Sequence, residues 1–493
     1  MAQTTIASPN AFSPAYNPIK FIINSTNKNN TGFKYIFQVF KAGTANMIGE
    51  YKVLPTYGDG YGEIDLSKLL QSYVSWDLNT LSTSWYNAPN SRYLYDLSVG
   101  EEQLAEYSWT ANLVDNGGNV EITATNTFVA GDQVVIEQVD GGVANPQLQG
   151  LHTIISATGS DFTVNVSFST VTDITINGNV HYADNRKIIT FGVSDFGNFC
   201  VFNGAFRWLD WSVYDVSDYA TGLPDSQWLT NQPQQFSCTL GQDLYLNVLS
   251  AGTSDKIVFV NSNGDSFYKT ITNTDIISQI PVGPNNFGIL IGAGDLITNT
   301  VDWYDVYYET ASGIESLKYR INLDRRTTIS EYHMLFLDRL GSYSSFAFQL
   351  KSYEKGEITR EIFNRDVKGY IDASKSQPEW NYKTEDMGFM QSNINVVKSF
   401  DLNTNWMDEN AAQYFEELLT SPQTFVKIVQ YNTTEGGIPI IGEDGCPVHV
   451  AESTAYQPCI VQNNAYEVYQ QRNKNLIKQS ITIKLSNQDN ING

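Results

Sequence analysis

The chain of 493 residues contains four histidines, the side chain that proteins use most often for acid-base catalysis near neutral pH. None of them falls in a metal-binding or catalytic motif. His152 and His181 belong to segments in which apolar and polar residues alternate, His333 follows a tyrosine in an aromatic stretch, and the fourth is His449. Structural roles are favoured over catalysis, and neither a metal site nor a cofactor is predicted.

One serine has neighbours that resemble an esterase nucleophile. The run Asn263-Gly264-Asp265-Ser266-Phe267 follows an apolar segment, as the nucleophile block of GDSL-type esterases does. That family also needs an Asp three residues before its catalytic His, and no histidine of this chain has one. An Asn-Gly pair between two alternating segments is typical of a hairpin turn, so we predict a β-hairpin here and no enzyme.

Two further segments have compositions found in ligand-binding loops. The acidic turn from Asp59 to Glu63 supplies oxygen atoms on a tight loop, which Ca²⁺ prefers, but it lacks the ligand spacing of an EF-hand, so no cation is expected. The stretch from Gly288 to Asp295 is rich in glycine but matches neither the dinucleotide-binding nor the Walker pattern, and it is expected to be a loop. Four cysteines, at Cys200, Cys238, Cys446 and Cys459, form no C-x-x-C pair and are predicted to be free, buried thiols.

Charge argues against two classes of partner. Thirty basic and 53 acidic residues give a formal charge of −23, which repels phosphate backbones and anionic lipid, so neither nucleic acid nor a membrane surface is expected as a partner. The N-terminal segment lacks the basic and apolar regions of a signal peptide, and no run of 18 apolar residues occurs. We therefore expect neither export nor a membrane span.

The elements that hold these residues are predicted to be mainly β-strands. Aromatic residues make up 13% of the chain and charged residues only 17%, a mixture that favours strands and uncharged loops. In the segment FKYIFQVF, Phe33, Tyr35, Phe37 and Val39 occupy every second position and therefore one face of a strand. The expected fold class is mainly β, with several β-sandwich or small β-barrel domains and a few short helices.

Changes in this pattern predict several domains, because a single core seldom grows beyond about 250 residues. The segment 110–184 consists of short alternating strands separated by Gly-rich turns, and it is predicted to be an inserted small β-barrel. Helical spacing at 406–420 predicts one clear helix, with Asn405 as its cap and Pro422 as its end. The expected units are an extended N-terminal arm (1–20), an N-terminal β-sandwich with a short helix (21–109 with about 185–222), the inserted barrel (110–184), a second β-sandwich (223–326) and a C-terminal β-rich domain (327–493).

Several aromatic residues are candidates for a contact with other proteins, since Tyr and Trp are enriched at desolvated interfaces. Strand alternation alone assigns at least half of such residues to the protein's own core. The candidate interface residues are Tyr16, Trp211, Tyr214, Tyr219, Trp303, Tyr304, Tyr307, Tyr308, Tyr466 and Tyr469.

The first fifth of the chain contains a series of short motifs in a fixed order. They are Ser13 to Asn17 (SPAYN), Ser25 to Asn27 (STN), Phe33 to Tyr35 (FKY), the Gly-Tyr-Gly turn within Tyr57 to Gly62, and Asp65 to Ser67 before a short helix. In these motifs the chain resembles a family of tail-associated proteins of phages that infect Bacteroidota. A second similarity lies near the C-terminus, in FLDRLGSYSSFAF and WMDENAAQYFEELLTSPQTFVKI. The resemblance implies an assembly role and transfers no catalytic residue.

We therefore expect a structural virion protein of a phage tail or baseplate, similar to distal-tail proteins. It would be made in the host cytoplasm, form a ring-like homo-oligomer such as a hexamer, and dock other tail proteins. The N-terminal arm would reach a neighbour. One alternative is an adhesin-like module that binds a host receptor or surface glycan through the inserted barrel. A third hypothesis, a tail-associated esterase or polysaccharide depolymerase, stays open because an acidic chain supplies carboxylates, although no β-helix repeat is seen.

Overall fold

The computed structural model describes residues 3–78, 86–138, 145–172, 174–219, 223–249, 254–271, 276–288, 296–326, 330–365, 369–377, 379–383, 388–432, 434–435, 438–439, 450–453, 456–463, 477–486 and 489–492. Strands account for 52% of the structure and helices for 10%, in several sheets and a half-barrel with few short helices. The expected mainly β fold is confirmed. Within the described residues, none of the helices is long and apolar enough to cross a membrane.

The chain forms two compact units. Unit 1 consists of Met1–Tyr73 and Tyr93–Phe202, and unit 2 consists of Val74–Arg92 and Asn203–Gly493. One hydrophobic core of unit 2 includes residues from Trp228 to Ile483, on both sides of residue 326. The domain limits expected from the sequence stay predictions.

Unit 1 contains a three-stranded and a five-stranded sheet. The first has the order β1 (Gln3–Ala7), β3 (Lys20–Ser25), β6 (Gly62–Asp65); the second has the order β2 (Phe12–Pro14), β16 (Lys187–Phe202), β8 (Arg92–Leu104), β4 (Lys34–Lys41), β5 (Met47–Val53). The N-terminal segment is extended, and its strands β1 and β2 pair with β3 and β16 of the same chain. Part of the N-terminal arm is therefore paired within its own chain, and its contact with a neighbour stays a prediction.

Strand β4 has the alternation that the sequence predicts. Tyr35, Phe37 and Val39 are completely buried. The Tyr35 hydroxyl donates to the Gly60 carbonyl oxygen (2.9 Å) and accepts from the Ser25 amide (3.1 Å). These bonds connect β4 to β3 and to the turn that precedes β6. A side chain at Gly62 would put a Cβ 2.4 Å from the Tyr35 ring, so glycine is needed there for this close approach. The turn leads into β6 and the short helix α1 (Ser67–Leu70).

A seven-stranded sheet occupies the segment between β8 and β16, which are neighbours in the five-stranded sheet. Its order is β10 (Val114–Asn116), β11 (Asn119–Thr123), β14 (Asp161–Ser167), β13 (Gly150–Ala157), β12 (Gln133–Gln138), β15 (Thr175–Tyr182), β9 (Glu106–Asn112). The segment has its own hydrophobic core, which runs from Ala105 to Tyr182 and includes Trp109, Phe128 and Phe162.

Unit 2 contains three larger sheets. A five-stranded sheet has the order β17 (Gln235–Thr239), β23 (Tyr319–Asp324), β22 (Trp303–Glu309), β19 (Lys256–Asn261), β20 (Ser266–Thr270), and a three-stranded sheet has the order β18 (Tyr245–Leu249), β21 (Ile277–Pro281), β7 (Tyr86–Asn87). The nine-stranded sheet has the order β25 (Tyr343–Phe348), β24 (Ser330–Leu337), β30 (Thr424–Asn432), β34 (Gln457–Val461), β35 (Ser480–Leu485), β29 (Gly388–Asn403), β26 (Tyr353–Arg365), with β33 (Val450–Ser453) beside β30 and β36 (Asp489–Asn492) beside β29. Two small hairpins are β27 (Tyr370–Asp372) with β28 (Glu379–Asn381), and β31 (Thr434–Glu435) with β32 (Ile438–Pro439).

The described part of unit 2 also contains the helices α2 (Trp208–Trp211) and α3 (Glu409–Thr420). Tyr414, Phe415 and Leu418 of α3 lie in the hydrophobic core, and the Phe415 ring contacts that of Phe346 at 5.2 Å between centroids. The predicted helix is thus confirmed, but it begins later than expected.

The cap of α3 is Asp408, whose carboxylate accepts a hydrogen bond from the Ala411 amide at 2.7 Å. The predicted cap, Asn405, was wrong because Met407 still pairs with Ile477 as an extended residue. The helix therefore cannot begin before Asp408.

Candidate assembly surfaces

Helix α2 presents apolar side chains to solvent. The relative exposure is 71% for Trp208, 80% for Leu209 and 78% for Val213, which lies in the turn after the helix. Large apolar side chains that are this exposed and this close in sequence typically mark an interaction site. We call these three residues the α2 patch.

The α2 patch is supported by a cluster of aromatic rings. Tyr214 lies 4.7 Å from Phe206 and 5.4 Å from Trp211 between ring centroids, and Phe206 lies 5.5 Å from Tyr219. Burial of the Tyr219 hydroxyl, with Asp218 and Asp210 nearby, raises the pKa of Tyr219 to about 12. These ring contacts hold the loop after the helix in one conformation.

A salt bridge fixes the start of α2 to α3. Arg207 precedes the helix, and its Nη2 lies 3.4 Å from Glu416 Oε2 and 3.7 Å from Glu417 Oε1. Glu417 also binds Arg339 at 3.2 Å. The start of α2 is therefore bound to α3, which packs into the hydrophobic core.

The second surface is a long two-stranded ribbon formed by β26 and β29. The strands pair from Tyr353 with Asp401 to Arg365 with Gly388. At its base β29 also pairs with β35, and further along it pairs with the short strand β36, whereas β26 is the last strand of the sheet. We call the paired segments Tyr353–Arg365 and 388–401 the β-ribbon. Thirteen residues of strand span about 40 Å.

Five apolar side chains share one face of the β-ribbon with the polar residues Arg360, Asn364 and Gln391. Residues opposite each other in a strand pair point to the same face, and the register places Ile358 opposite Val396, Arg360 opposite Ile394, and Asn364 opposite Phe389. By alternation along β26, the same face contains Ile358, Ile362, Phe389, Ile394 and Val396. We call these five residues the apolar face of the ribbon.

Three residues of this face are exposed, whereas Ile394 and Val396, where β36 pairs with β29, are half-buried. Every side chain from Tyr353 to Asn364 is exposed. The relative exposure is 47% for Ile358, 63% for Ile362 and 80% for Phe389. The small hairpin of β27 and β28 adds exposed Tyr370, Ile371, Trp380 and Tyr382. β26 is the edge strand of its sheet, and a long open edge pairs readily with other strands, so the β-ribbon offers an edge at which another molecule can bind.

The β-ribbon is electrically neutral in an otherwise acidic chain. Its two segments, 353–365 and 388–401, contain four basic and four acidic side chains, whereas the whole chain has a formal charge of −23. Lys398 binds Glu354 at 3.4 Å across the two strands, and Lys355 binds Asp401. Arg360, on the apolar face, makes no hydrogen bond or ion pair with another described side chain.

The structure brings three of the predicted interface residues together: Trp211, Tyr214 and Tyr219 belong to the aromatic cluster that supports the α2 patch. Tyr16 is 55% exposed in the N-terminal segment. Tyr466 and Tyr469 lie outside the described residues.

The four predicted interface residues of β22 lie elsewhere. Tyr304 and Tyr308 are in the hydrophobic core, Tyr307 is 8% exposed, and Arg320 covers the half-buried Trp303 ring at 3.6 Å. β22 is a central strand of its sheet and the core lies against it, which leaves little surface of these residues for a partner.

The esterase-like run forms the turn that its Asn-Gly pair predicts. Strands β19 and β20 pair with Val260 opposite Ser266, and Gly264 has a φ of +89°. The Asn261 side-chain oxygen accepts from the amides of Asn263 (3.1 Å) and Asp265 (2.9 Å), which fixes the turn. The hairpin is confirmed, and no hydrogen bond joins Ser266 to a described histidine.

The histidines of the described chain are far from each other in the fold. His152 and His181 are opposite the adjacent residues Val134 and Val135 of β12, so they point to opposite faces of the seven-stranded sheet. His333 is completely buried, and its Nε2 lies 2.8 Å from Glu331. His449 lies outside the described residues.

The acidic turn has a polar partner of its own, and most of the glycine-rich stretch lies outside the described residues. Lys28 Nζ donates to the Asp59 carbonyl oxygen at 2.6 Å, so an ammonium group already lies on the acidic turn. Among the described residues, no group of three or more His, Cys, Asp or Glu side chains is arranged for a metal ion. Only Gly288 of the glycine-rich stretch is described. Cys200, Cys238 and Cys459 are free and buried as predicted, and Cys446 is outside the described residues.

Two buried acids of unit 2 have environments that sequence reasoning missed. Burial raises the pKa of Asp338 to about 7, and its carboxylate accepts from the Thr230 hydroxyl (2.6 Å) and from the amides of Leu340 and Ser342 in its own turn. Asp243 lies beside Lys427 and Tyr456. Both acids are enclosed by the protein's own donors, which assigns them to the structure of the core.

The exposed residues of the two assembly surfaces were also missed. Alternation along 353–365 indicates a strand, but a strand pattern does not tell whether the apolar side has a covering layer. Leu209 and Val213 are four residues apart, as on the apolar face of a helix, so the sequence contains no signal that they are exposed.

Comparison with known proteins gives this chain no family. No protein-family model matches it, and no curated protein does. A search of solved structures returns the crystal structure of Salmonella alpha-2-macroglobulin reacted with methylamine, with 7% sequence identity and a TM-score of 0.14 over 100% of this chain and 34% of that chain. This chain thus spans about a third of the length of that structure, and a similarity of this level carries no argument about fold or function.

Proposed function

We propose that the chain is a structural protein of a bacteriophage tail or baseplate that forms a ring-like homo-oligomer and docks other tail proteins. The observation that carries the proposal is the β-ribbon, a strand pair of about 40 Å on whose apolar face Ile358, Ile362 and Phe389 are exposed. Water is a poor environment for such a face, because each buried methylene contributes about 0.8 kcal/mol to association. The phage assignment is supported by the resemblance in the first fifth of the chain.

A ring is the assembly that these surfaces favour. A chain that binds copies of itself through two different surfaces makes head-to-tail contacts, and such contacts close into a ring when the rotation between subunits allows it. The β-ribbon and the α2 patch are two different exposed apolar surfaces of unit 2.

The proposal is tested by measuring the mass of the purified full chain with light scattering over a range of concentrations, and by mass spectrometry of virions from the phage that encodes it. We expect a defined oligomer and a fixed copy number in the tail. A chain that is monomeric at every concentration and absent from virions would contradict the proposal.

A second candidate function is glycan binding, and a cleft beside α2 favours it. The cleft has a volume of about 550 Å³ and is lined by Arg207, Asp210, Asn231, Pro233, Gln234, Gln235, Asn410, Gln413, Tyr414 and Glu417. Amide and charged side chains of this kind form the paired hydrogen bonds that sugar hydroxyls need. On this hypothesis Asn410→Ala with Gln413→Ala abolishes binding on a glycan array while deletion of residues 110–184 does not; the opposite result would move the sugar site to the seven-stranded module.

A further inference from the structure

We propose that the apolar face of the β-ribbon of one copy covers the α2 patch of the next copy. This inference rests on the proposed function, because it names the contact from which the ring would be built. It commits to a second copy of this chain as the partner of both surfaces.

The charges of the β-ribbon allow it to approach a second copy. Two copies with a formal charge of −23 each repel one another, and this repulsion is smaller where one of the approaching surfaces is neutral. The β-ribbon has four basic and four acidic side chains and is such a surface. It therefore adds no net repulsion when it meets an acidic copy.

The α2 patch complements the apolar face in chemistry. Trp208, Leu209 and Val213 supply large apolar anchors, and tryptophan is among the residues that contribute most to binding energy at interfaces. The apolar face supplies isoleucine, valine and phenylalanine side chains for them to contact.

Charges at the two surfaces also match. Arg360 is the guanidinium on the apolar face that lacks an ion-pair partner among the described residues. Asp210, Asp215 and Asp218 lie within or next to the α2 patch segment, and an arginine facing them would gain charge-assisted hydrogen bonds. The two surfaces are different from each other, so the contact is head-to-tail.

The experiment uses two double variants of the full chain and mixes them. The ribbon variant is Ile358→Glu with Ile362→Glu, and the patch variant is Leu209→Glu with Val213→Glu. All four positions are exposed, so neither variant disturbs the core. The matched controls are Thr359→Glu, on the opposite face of β26, and Val114→Glu, an exposed apolar position of the seven-stranded module.

Each variant alone should be monomeric at concentrations at which the wild-type chain and both controls are assembled. An equal mixture of the two variants should give a complex of two chains and nothing larger, because the intact ribbon of the patch variant can bind the intact patch of the ribbon variant only once. Light scattering and native mass spectrometry measure these masses.

Different failures have different meanings. If the wild-type chain assembles and the ribbon variant is monomeric while the patch variant keeps the wild-type mass, the ribbon binds another surface and this inference is overturned, but the proposed function is not. If the wild-type chain never assembles, the proposed function fails and this inference fails with it.

Discussion

Asp243 and Lys427 lie side by side in the interior of unit 2, where a charge without a partner would be costly. The Lys427 ammonium is 3.5 Å from Asp243 Oδ2 and 5.3 Å from the centre of the Tyr456 ring, and the Tyr456 hydroxyl donates to the same oxygen at 2.7 Å. Both charged side chains are at most 7% exposed. Removing one partner of a buried pair leaves the other charge uncompensated.

We predict that Lys427→Met lowers the free energy of unfolding by about 3 kcal/mol, and that Asp243→Asn in the same chain restores more than half of it. Urea titration of the wild-type chain and of the single and double variants measures the difference. If the single variant is as stable as the wild type, the pair contributes nothing to the stability of the core.

Glu102 makes a second buried ion pair, in unit 1. Its side chain is 1% exposed and receives hydrogen bonds from Lys187 (2.6 Å) and Lys52. Burial opposes ionisation of this carboxyl, but the hydrogen bonds from the two lysines outweigh it and hold its pKa below the usual value. A carboxyl with a lowered pKa stabilises the folded state above its unfolded pKa, and this contribution is lost as the pH falls through the folded pKa.

Accordingly, Glu102→Gln should lower the melting temperature at pH 7, and the difference from the wild type should shrink below a pH of about 4, near the ordinary pKa of a glutamate. Thermal unfolding of the variant and of the wild type between pH 7 and pH 3 measures this difference in melting temperature. A difference of unchanged size at pH 3 would assign the effect to packing instead of charge.

Among the elements, α3 shows what a cap contributes. Asp408 accepts the Ala411 amide at 2.7 Å, whereas the Asn405 oxygen accepts only the neighbouring Trp406 amide. Asp408→Ala should therefore cost about 1 kcal/mol of stability, a typical value for loss of an N-cap. Chemical denaturation of this variant and of Asn405→Ala compares the two positions, and a larger loss at Asn405 would contradict the assignment of the cap.

Strand faces and turns of this fold could be predicted from the sequence, because alternation and Asn-Gly pairs are local signals. The buried face of β4 and the turn at Asn263-Gly264 are examples. What could not be predicted is which aromatic residues are covered. Tyr304 and Trp208 have similar local contexts, but β22 lies under a hydrophobic core and α2 does not, and that difference depends on contacts between segments far apart in the chain.

Hydrogen exchange of the wild-type chain tests the role of the β-ribbon without any variant. Backbone amides on the free edge of β26 have no strand partner in the described chain, so they should exchange with deuterium quickly in the monomer. Assembly should protect the segment Tyr353–Arg365 strongly, because the partner excludes water from it. Hydrogen exchange at low and high protein concentration measures this protection, and equal exchange under both conditions would show that the ribbon stays in solvent.

At the scale of the molecule, an acidic chain carries a neutral ribbon. A formal charge of −23 makes two copies repel one another, and the β-ribbon, with four basic and four acidic side chains, is a surface at which this repulsion is smaller. Repulsion between acidic surfaces would thus disfavour other modes of association and help a protein that must assemble in one defined geometry.

We propose that the β-ribbon of each copy binds a neighbouring copy in the assembly. Electron microscopy of the purified chain at high concentration tests this contact. We predict closed rings of identical subunits in which density for the β-ribbon contacts the adjacent subunit. Single, separate molecules with the ribbon surrounded by solvent would contradict the claim.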